Sequence, residues 1–159
     1  MVDLDIMYNE EEIQKRIKEM AEEIDKDYGG KSIVAIFVLR GAIYFAVDLT
    51  KKMKTPIELD LRTSSYIGTE STGKINLDLD VKEDLKDKDV LIIEDIIDTG
   101  YTLKFLKEHI LNQEPKSVKI AVLADKEERR EVDVKVDYVG YGFDYNNTCR
   151  NLPYIGSMK

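Results

Sequence analysis

VLIIEDIIDTGYT, residues Val90–Thr102, is the stretch that decides the fold. Its first four residues are apolar and rich in β-branched side chains, which is typical of a strand buried on both faces. Two carboxylates, Glu94 and Asp95, follow this strand, and the tripeptide Asp-Thr-Gly then leads into a helical stretch. Because ligands of open α/β sheets bind where strand ends lead into helices, the pattern predicts a ligand site in an α/β protein.

Strands and helices alternate along the rest of the chain as well. The first predicted helix follows Asn9, has acidic residues in its first turn, repeats apolar residues at helical spacing and ends at Gly29-Gly30. The other predicted helices cover residues 42–54 and 102–111, and the predicted strands cover residues 32–39, 57–66, 90–93, 117–123 and 132–139. This alternation predicts a mostly parallel central sheet with helices on both faces, in a single domain spanning residues 1–159.

The composition limits the classes of function. The chain has 159 residues and a net charge of -8, which argues against non-specific nucleic-acid binding, because such binding needs clustered Lys and Arg. It has no apolar run of membrane-spanning length, and its acidic N-terminus, MVDLDIMYNEEE, differs from a secretory signal. A single cysteine, Cys149, excludes an internal disulfide framework. We therefore expect a cytoplasmic protein whose partners are neither nucleic acid nor membrane.

The loop after the Val90 strand suits a phosphorylated sugar. Free backbone N–H groups at the start of a helix, with the hydroxyls of Thr99 and Thr102, can hold a phosphate, and Gly100 allows close approach of the main chain. The carboxylates of Glu94 and Asp95 suit hydroxyl groups or magnesium instead. The alternative is that the tripeptide only caps a helix and that the acids are solvated charges. The preceding apolar strand makes the whole run more specific than the tripeptide alone.

VLIIEDIIDTGYTL, residues 90–103, resembles the signature of type I phosphoribosyltransferases, and it is most similar to that of the hypoxanthine-guanine branch. Three further stretches resemble the other motifs in the family's order: Leu39-Arg40-Gly41 the diphosphate loop, Ser64-Ser65-Tyr66 with GTESTG the mobile flap, and RNLPYIG the C-terminal signature. The resemblance covers nearly the whole chain. It implies the type I fold, with a small hood from the terminal segments, and a homodimer or homotetramer.

The resemblance implies a purine salvage enzyme. Such an enzyme transfers phosphoribosyl from phosphoribosyl diphosphate (PRPP) to N9 of hypoxanthine or guanine and releases diphosphate, with magnesium as cofactor. Displacing diphosphate builds negative charge on the leaving group, and cations and magnesium stabilise that charge. A closing flap would exclude water, which would otherwise hydrolyse the activated sugar. The sequence leaves open which of hypoxanthine, guanine and xanthine is preferred.

The family's site residues carry over to matching positions. The resemblance implies that Glu94 and Asp95 contact the ribose hydroxyls directly or through magnesium, and that Asp98 is catalytic and faces purine N7 as the proton-transferring group. The other implied contacts are Thr99, Gly100, the Tyr101 backbone and Thr102 with the 5-phosphate, Leu39, Arg40, Gly41 and Arg150 with diphosphate, Asp144 with a second magnesium, Lys126 with the purine 6-oxo group, and Ser65 and Tyr66 in the flap. The Leu39–Arg40 peptide would be cis.

One segment departs from the family's pattern. In relatives, Val-Gly at positions 139–140 is followed by a further segment that supplies an aromatic ring stacked on the purine, whereas here Gly140 is followed at once by YGFDY. Three explanations are open: a true deletion with a shortened base pocket, stacking taken over by Tyr141 or Phe143, or a segment that the given sequence lacks. With an intact chain we expect weakened purine affinity and a preserved sugar-phosphate site.

Two other functional interpretations are open. A binding module of the same fold would keep the PRPP site and lose catalysis, and the departure after Gly140 is compatible with it. A nucleotide-binding α/β domain of unrelated chemistry would require the flap and terminal motifs to be accidental. Among the outlying residues, Arg40 and Arg150 could be ordinary surface cations, and Lys126 lies in DKEERRE, a charge run typical of a solvated face.

Overall fold

The computed structural model describes residues 4–66, 75–78, 84–142 and 155–158. Within these residues the helices are α1 (Glu10–Tyr28), α2 (Ile43–Lys52) and α3 (Tyr101–Leu111), with a 3-10 turn at Glu127–Arg129. The strands are β1 (Leu4–Tyr8), β2 (Ile33–Leu39), β3 (Ile57–Tyr66), β4 (Ile75–Asp78), β5 (Asp89–Ile97), β6 (Ser117–Asp125), β7 (Tyr138–Gly142) and β8 (Ile155–Met158). None of the described helices is long and apolar enough to cross a membrane.

Six strands form the central sheet in the order β4-β3-β2-β5-β6-β7. Five of them, namely β3, β2, β5, β6 and β7, run parallel to one another. The edge strand β4 pairs with β3 antiparallel. The predicted mostly parallel sheet is therefore confirmed. The chain passes from β2 to β3 on one side and later adds β5 on the other side, so the strand order reverses between β2 and β5. Such a switch point leaves a crevice at the carboxyl ends of the two strands.

Helices cover both faces of this sheet, as predicted. On one face, α1 and α2 bury apolar side chains against β2 and β5, where Ala35 and Phe37 point into this core. On the other face, α3 packs against a second core that contains Val34 and Ile36 of the same strand. Successive residues of β2 thus belong alternately to the two cores, since side chains along a strand alternate between faces.

The ends of α1 follow the local signals in the sequence. Asn9 is the N-cap and forms a capping box, in which its side chain accepts from the Glu12 backbone N–H at 2.9 Å and its own N–H donates to the Glu12 carboxylate at 2.8 Å. Gly29 ends the helix with φ of 57°, a left-handed conformation that favours glycine. Both predicted helix ends are confirmed.

The prediction of a strand over residues 132–139 is wrong in its bounds. Residues 130–136 form no strand, and β7 runs from Tyr138 to Gly142. Asp137 marks the change, because its backbone N–H donates to the Ile120 carbonyl at 2.9 Å and its carboxylate accepts from the Ile120 N–H at 3.0 Å. The residues before Asp137 instead contact the loop after β5, which the apolar pattern Val-x-Val-x-Val does not reveal.

Gly140-Tyr141, the point of departure from the family's pattern, lies within a strand. Both residues lie in β7, where Val139 pairs with Val122 and Tyr141 pairs with Ala124. The Tyr141 ring stacks on Tyr8 with ring centres 4.1 Å apart, and its hydroxyl donates to the Glu12 carbonyl at 3.1 Å. Tyr141 is therefore held against the N-terminal part of the chain.

The two terminal segments meet in a separate two-stranded sheet. The backbones of β1 and β8 pair antiparallel, with Leu4 opposite Met158. This pairing agrees with the small hood that the resemblance implied for the terminal segments.

Candidate active site

A cavity of about 420 Å³ lies at the switch point between β2 and β5. Its walls come from the end of β2 with the turn after it, and from the end of β5 with the start of α3. The lining residues are Val38, Leu39, Arg40, Gly41, Glu94, Asp95, Ile96, Ile97, Asp98, Thr99, Gly100, Thr102 and Leu103. Two stretches that are about fifty residues apart in the sequence thus form one site, as expected where neighbouring parallel strands end at the same edge.

The turn after β2 supplies a cation and backbone groups to this cavity. The Leu39–Arg40 peptide is cis, as the resemblance implied. The Arg40 side chain is exposed, and the Arg40 carbonyl accepts the N–H of Ile43 at 3.2 Å at the start of α2. The turn therefore lines the cavity and leads directly into α2.

Two carboxylates lie at the end of β5. Glu94 is buried, and its Oε1 accepts the backbone N–H of Asp95 at 2.9 Å. Asp95 is half-buried, and its Oδ1 accepts the N–H of Ile96 at 2.9 Å. Both carboxylates thus lie at the cavity, where carboxylate oxygens can bind hydroxyls or a cation.

The loop from Asp98 to Gly100 opens α3. Gly100 is buried with φ of 94°, and its carbonyl accepts the N–H of Lys104 at 2.9 Å, which begins the helix. A side chain at this position would come within 2.9 Å of the Arg130 Cδ and 3.2 Å of the Val132 carbonyl oxygen. Glycine is therefore required here both by φ and by the segment that packs against the loop.

Tyr101 points away from the cavity, although its neighbours line it. Its side chain is 46% exposed, and its hydroxyl bonds to the Glu131 carboxylate. That bond, together with the charge of Glu131, raises the pKa of Tyr101. The side chain therefore contacts the loop after β6 and does not line the cavity.

The Asp98 carboxylate faces an arginine that the sequence analysis did not assign to the site. Arg129 Nε lies 2.8 Å from Asp98 Oδ1, and the two side chains are 47% and 25% exposed. In the sequence, Arg129 belongs to DKEERRE, a pattern typical of a solvated charge run. The signal that could have identified this arginine is its place directly after β6, because the carboxyl end of each parallel strand lies at the same edge as the site.

The segment Arg130–Val132 binds the backbone of the same loop. Arg130 Nε donates to the Asp98 carbonyl at 3.3 Å, and the N–H groups of Glu131 and Val132 donate to the Thr99 carbonyl at 2.9 and 3.3 Å. Arg130 also forms an ion pair with Asp125, the buried last residue of β6. Hydrogen bonds and an ion pair therefore connect the loop from Asp98 to Gly100 with the end of β6.

Lys126 lies close to the cavity but does not line it. Its side chain is fully buried, and its backbone N–H donates to the Ile97 carbonyl at 2.9 Å. The backbones of Ser65 and Tyr66 lie at the end of β3, paired with Asn76 and Ile75 of β4. Three other predicted features fall outside the described residues: the flap stretch 67–74, Asp144 and Arg150.

The carboxylate ligands at the site fit a magnesium ion whose remaining ligands come from the substrate. No cluster of three or more His, Cys, Asp or Glu side chains suitable for a metal occurs within residues 4–66, 75–78, 84–142 and 155–158. Glu94 and Asp95 provide two carboxylates at the cavity. Magnesium is commonly held by one or two carboxylates together with substrate phosphates, and these two residues suit that arrangement.

The sequence is similar to those of hypoxanthine-guanine phosphoribosyltransferases. It is 43% identical over 166 residues to the enzyme of that name from Streptococcus pneumoniae, covering 97% of this chain and 92% of the relative. It is 41% identical over 166 residues to the hypoxanthine-guanine-xanthine phosphoribosyltransferase of Tritrichomonas foetus, covering 97% of this chain and 91% of the relative.

Solved structures and a family model agree with the sequence relatives. A hypoxanthine-guanine phosphoribosyltransferase from Bacillus anthracis superposes with a TM-score of 0.89 at 39% identity, covering 100% of this chain and 99% of that chain. The Trypanosoma cruzi hypoxanthine phosphoribosyltransferase with the product IMP gives 0.88 at 34% identity, covering 99% and 92%. The model of the phosphoribosyl transferase domain matches residues 3–148. With the cavity at the switch point, these similarities show that the chain belongs to the phosphoribosyl transferase family.

Proposed function

We propose that the protein transfers phosphoribosyl from PRPP to N9 of hypoxanthine or guanine and releases diphosphate. The observation that carries this proposal is the single cavity formed by the turn at residues 39–41 and the loop at residues 94–102. PRPP carries phosphate at one end and diphosphate at the other, so it needs two anion sites, and both of these backbone turns line the cavity. The relatives named above carry the same activity in their names.

The reaction breaks the bond between C1 of ribose and the diphosphate oxygen and forms the bond between C1 and purine N9. The electron pair of the broken bond leaves with diphosphate, so negative charge grows beside Arg40 and positive charge grows on the ribose beside Glu94 and Asp95. The base must lose one proton as it becomes bonded, and Asp98 accepts it at N7. In this proposal each group would stabilise charge that develops in the transition state.

The remaining assignments complete the proposed site. The turn residues Leu39 and Gly41 contact diphosphate through their backbone, and Thr99, Gly100, Tyr101 and Thr102 contact the 5-phosphate. Arg150 joins Arg40 at diphosphate, Lys126 binds the purine 6-oxo group, and Ser65 and Tyr66 belong to the flap. Glu94 and Asp95 would hold magnesium, with Asp144 at a second ion, and the bound metal neutralises phosphate charge.

The decisive experiment incubates the purified protein with magnesium, PRPP and one of hypoxanthine, guanine or xanthine, and measures the nucleotide by chromatography. Formation of the corresponding monophosphate is expected for hypoxanthine or guanine. Calorimetry with PRPP alone runs in parallel. PRPP binding without nucleotide from any base would instead identify a binding module, and absence of both would exclude the proposed site.

We expect the base-binding half of the site to be weaker than the sugar-phosphate half. The alignment with the S. pneumoniae relative has 166 positions, and 97% of this 159-residue chain is about 154 residues, so about 12 positions of the relative have no counterpart here. Tyr141 is already stacked on Tyr8, which leaves it unsuited to stack on a purine in the same conformation.

Steady-state kinetics test this expectation. The KM for hypoxanthine should exceed that of the S. pneumoniae enzyme assayed side by side, whereas the KM for PRPP should be similar for the two proteins. Equal KM values for hypoxanthine would show that another part of the chain supplies the missing base contacts.

We propose a homodimer or a tetramer built from such dimers, formed through an apolar surface of α2 and β3. Leu59 and Leu61 are 57% and 60% exposed. They pair with Ala35 and Phe37 of β2, so they lie on the sheet face that α2 covers. Ile43, Tyr44 and Val47 of α2 are exposed as well. Two exposed leucines and three exposed helix residues on the same side of the sheet provide apolar surface of the kind that a second copy covers.

Leu61→Lys is expected to shift the assembly toward monomer, because a charge would be buried in the apolar contact. Sedimentation velocity measures the change. Leu111→Lys is the matched control, since Leu111 is 49% exposed at the end of α3, on the other face of the sheet. An unchanged sedimentation coefficient for Leu61→Lys would place the subunit contact elsewhere.

We also propose that residues 1–159 form one domain and that the protein works in the cytoplasm. Both cores share the same central sheet, which supports a single cooperative unit. One unfolding transition followed by circular dichroism and by fluorescence would support the single domain. Cell fractionation with an antibody against the protein tests the location.

A further inference from the structure

We propose that Arg129 and Arg130 are positioning residues for Asp98, and that Arg129 orients the carboxylate while Arg130 fixes the backbone that carries it. This inference rests on the proposed function, because it concerns how the proton-accepting group is held. The two arginines follow β6 and approach Asp98 from the strand next to its own. None of the motifs that resemble the family contains them.

Arg129 contacts one oxygen, Oδ1, of the Asp98 carboxylate. Its Nε lies 2.8 Å from Oδ1, yet within the described residues Oδ1 has no hydrogen-bond partner, since the N–H does not point at it. The contact is thus an attraction between charges. Charge attraction restrains the position of the carboxylate, and because Oδ1 is buried, purine N7 would donate its hydrogen bond to the other oxygen, Oδ2.

Arg130 acts on the main chain instead. Its Nε donates to the Asp98 carbonyl, and its other end forms an ion pair with Asp125. Asp125 is buried, and the Arg130 side chain is only 19% exposed, so the pair is anchored in the folded protein. The stem of Arg130 also occupies the space beside Gly100 that a side chain there would need. Arg130 therefore connects the end of β6 to the loop proposed to hold the 5-phosphate.

The two arginines should give different kinetic effects. Arg129→Gln is expected to lower kcat about 10- to 100-fold with little change in PRPP affinity, because a displaced reacting group slows chemistry more than binding. Arg130→Gln is expected to weaken PRPP binding about tenfold, because the phosphate loop loses a charged hydrogen bond. Calorimetry with PRPP and magnesium measures the second effect without requiring turnover.

Three further variants separate positioning from a general loss of stability. Arg129→Lys keeps the charge and should restore most of the lost kcat. In a protein that already carries Asp98→Asn, adding Arg129→Gln should lower kcat no further, since Arg129 acts through the Asp98 carboxylate. Lys135→Gln is the matched control, because it removes a more exposed ion pair with Asp137 from the same connection between β6 and β7, and it should leave kcat and PRPP affinity unchanged.

The outcomes separate this inference from the proposed function. A wild-type protein that binds PRPP and makes no nucleotide contradicts the proposed function, and the Arg130→Gln binding measurement still decides the role of Arg130. An active wild type whose Arg129→Gln variant keeps full kcat overturns the role of Arg129. PRPP affinity unchanged in Arg130→Gln overturns the role of Arg130, and equal kcat losses in Arg129→Lys and Arg129→Gln would show that charge does not position Asp98.

Discussion

Asp98→Asn is expected to lower kcat for nucleotide formation by about 10²- to 10⁴-fold, the usual contribution of a general acid or base. Asparagine has nearly the same shape as aspartate, and it cannot accept the proton that the purine loses. The carbonyl of residue 98 would still bond to Arg130, so the loop should keep its structure. PRPP affinity, measured by calorimetry, should therefore change little.

The control for this substitution is Glu22→Gln. Glu22 is exposed on α1, away from the cavity, and the change removes one carboxylate of nearly the same size. Its kcat should equal that of the wild type. If Asp98→Asn retained wild-type kcat with hypoxanthine and guanine at saturating PRPP, Asp98 would not be the proton acceptor.

Gly140→Ala is expected to destabilise the fold by about 3 kcal/mol or more, at the upper end of the usual cost of overpacking. A Cβ at this position would lie 2.5 Å from the Leu123 carbonyl oxygen and 3.1 Å from Leu123 Cδ1. The closest atom belongs to the backbone of β6, which a side-chain rotation cannot move. Separation of β7 from β6 would also disturb the bond from Arg16 Nε to the Gly140 carbonyl, which is 3.0 Å long.

Thermal unfolding measures this loss. A fall in Tm of about 6–12 °C corresponds to 3 kcal/mol in a domain of this size. Gly29→Ala is the matched comparison, because φ at Gly29 is 57° and no atom lies within 4 Å of the added Cβ. It should cost only about 1 kcal/mol, the penalty for the left-handed backbone. A Gly140→Ala protein with a smaller loss of Tm than Gly29→Ala would contradict the close packing of β6 and β7.

The strand-loop-helix unit that lines the cavity could be predicted because its signals are contiguous. The strand from Val90, the two acids and the glycine turn are adjacent in the chain, and β5, the loop and α3 have the predicted order. It could also be predicted that this loop and the turn at residues 39–41 lie close together, since parallel strands end at one edge of a sheet.

The surroundings of the residues proposed for the base could not be predicted to the same depth. Lys126 occurs at the position that the resemblance indicated, but its burial depends on packing among β5, β6 and the 3-10 turn. The contact made by Tyr141 could not be predicted either, because the sequence left open that this residue stacks on the purine. Its contact with Tyr8 joins residues at opposite ends of the chain, and no local pattern indicates such a pairing.

By itself, the sequence determined the alternation of strands and helices, the capping box at Asn9 and the strand-loop-helix unit that carries Asp98. These features depend on side-chain periodicity and on hydrogen bonds between near neighbours in the chain. Only the tertiary structure decided that Arg129 faces Asp98, and that the extended residues before Asp137 leave the sheet to bind Thr99. Those contacts join residues about thirty positions apart, and the energies that select them arise only after the strands have paired.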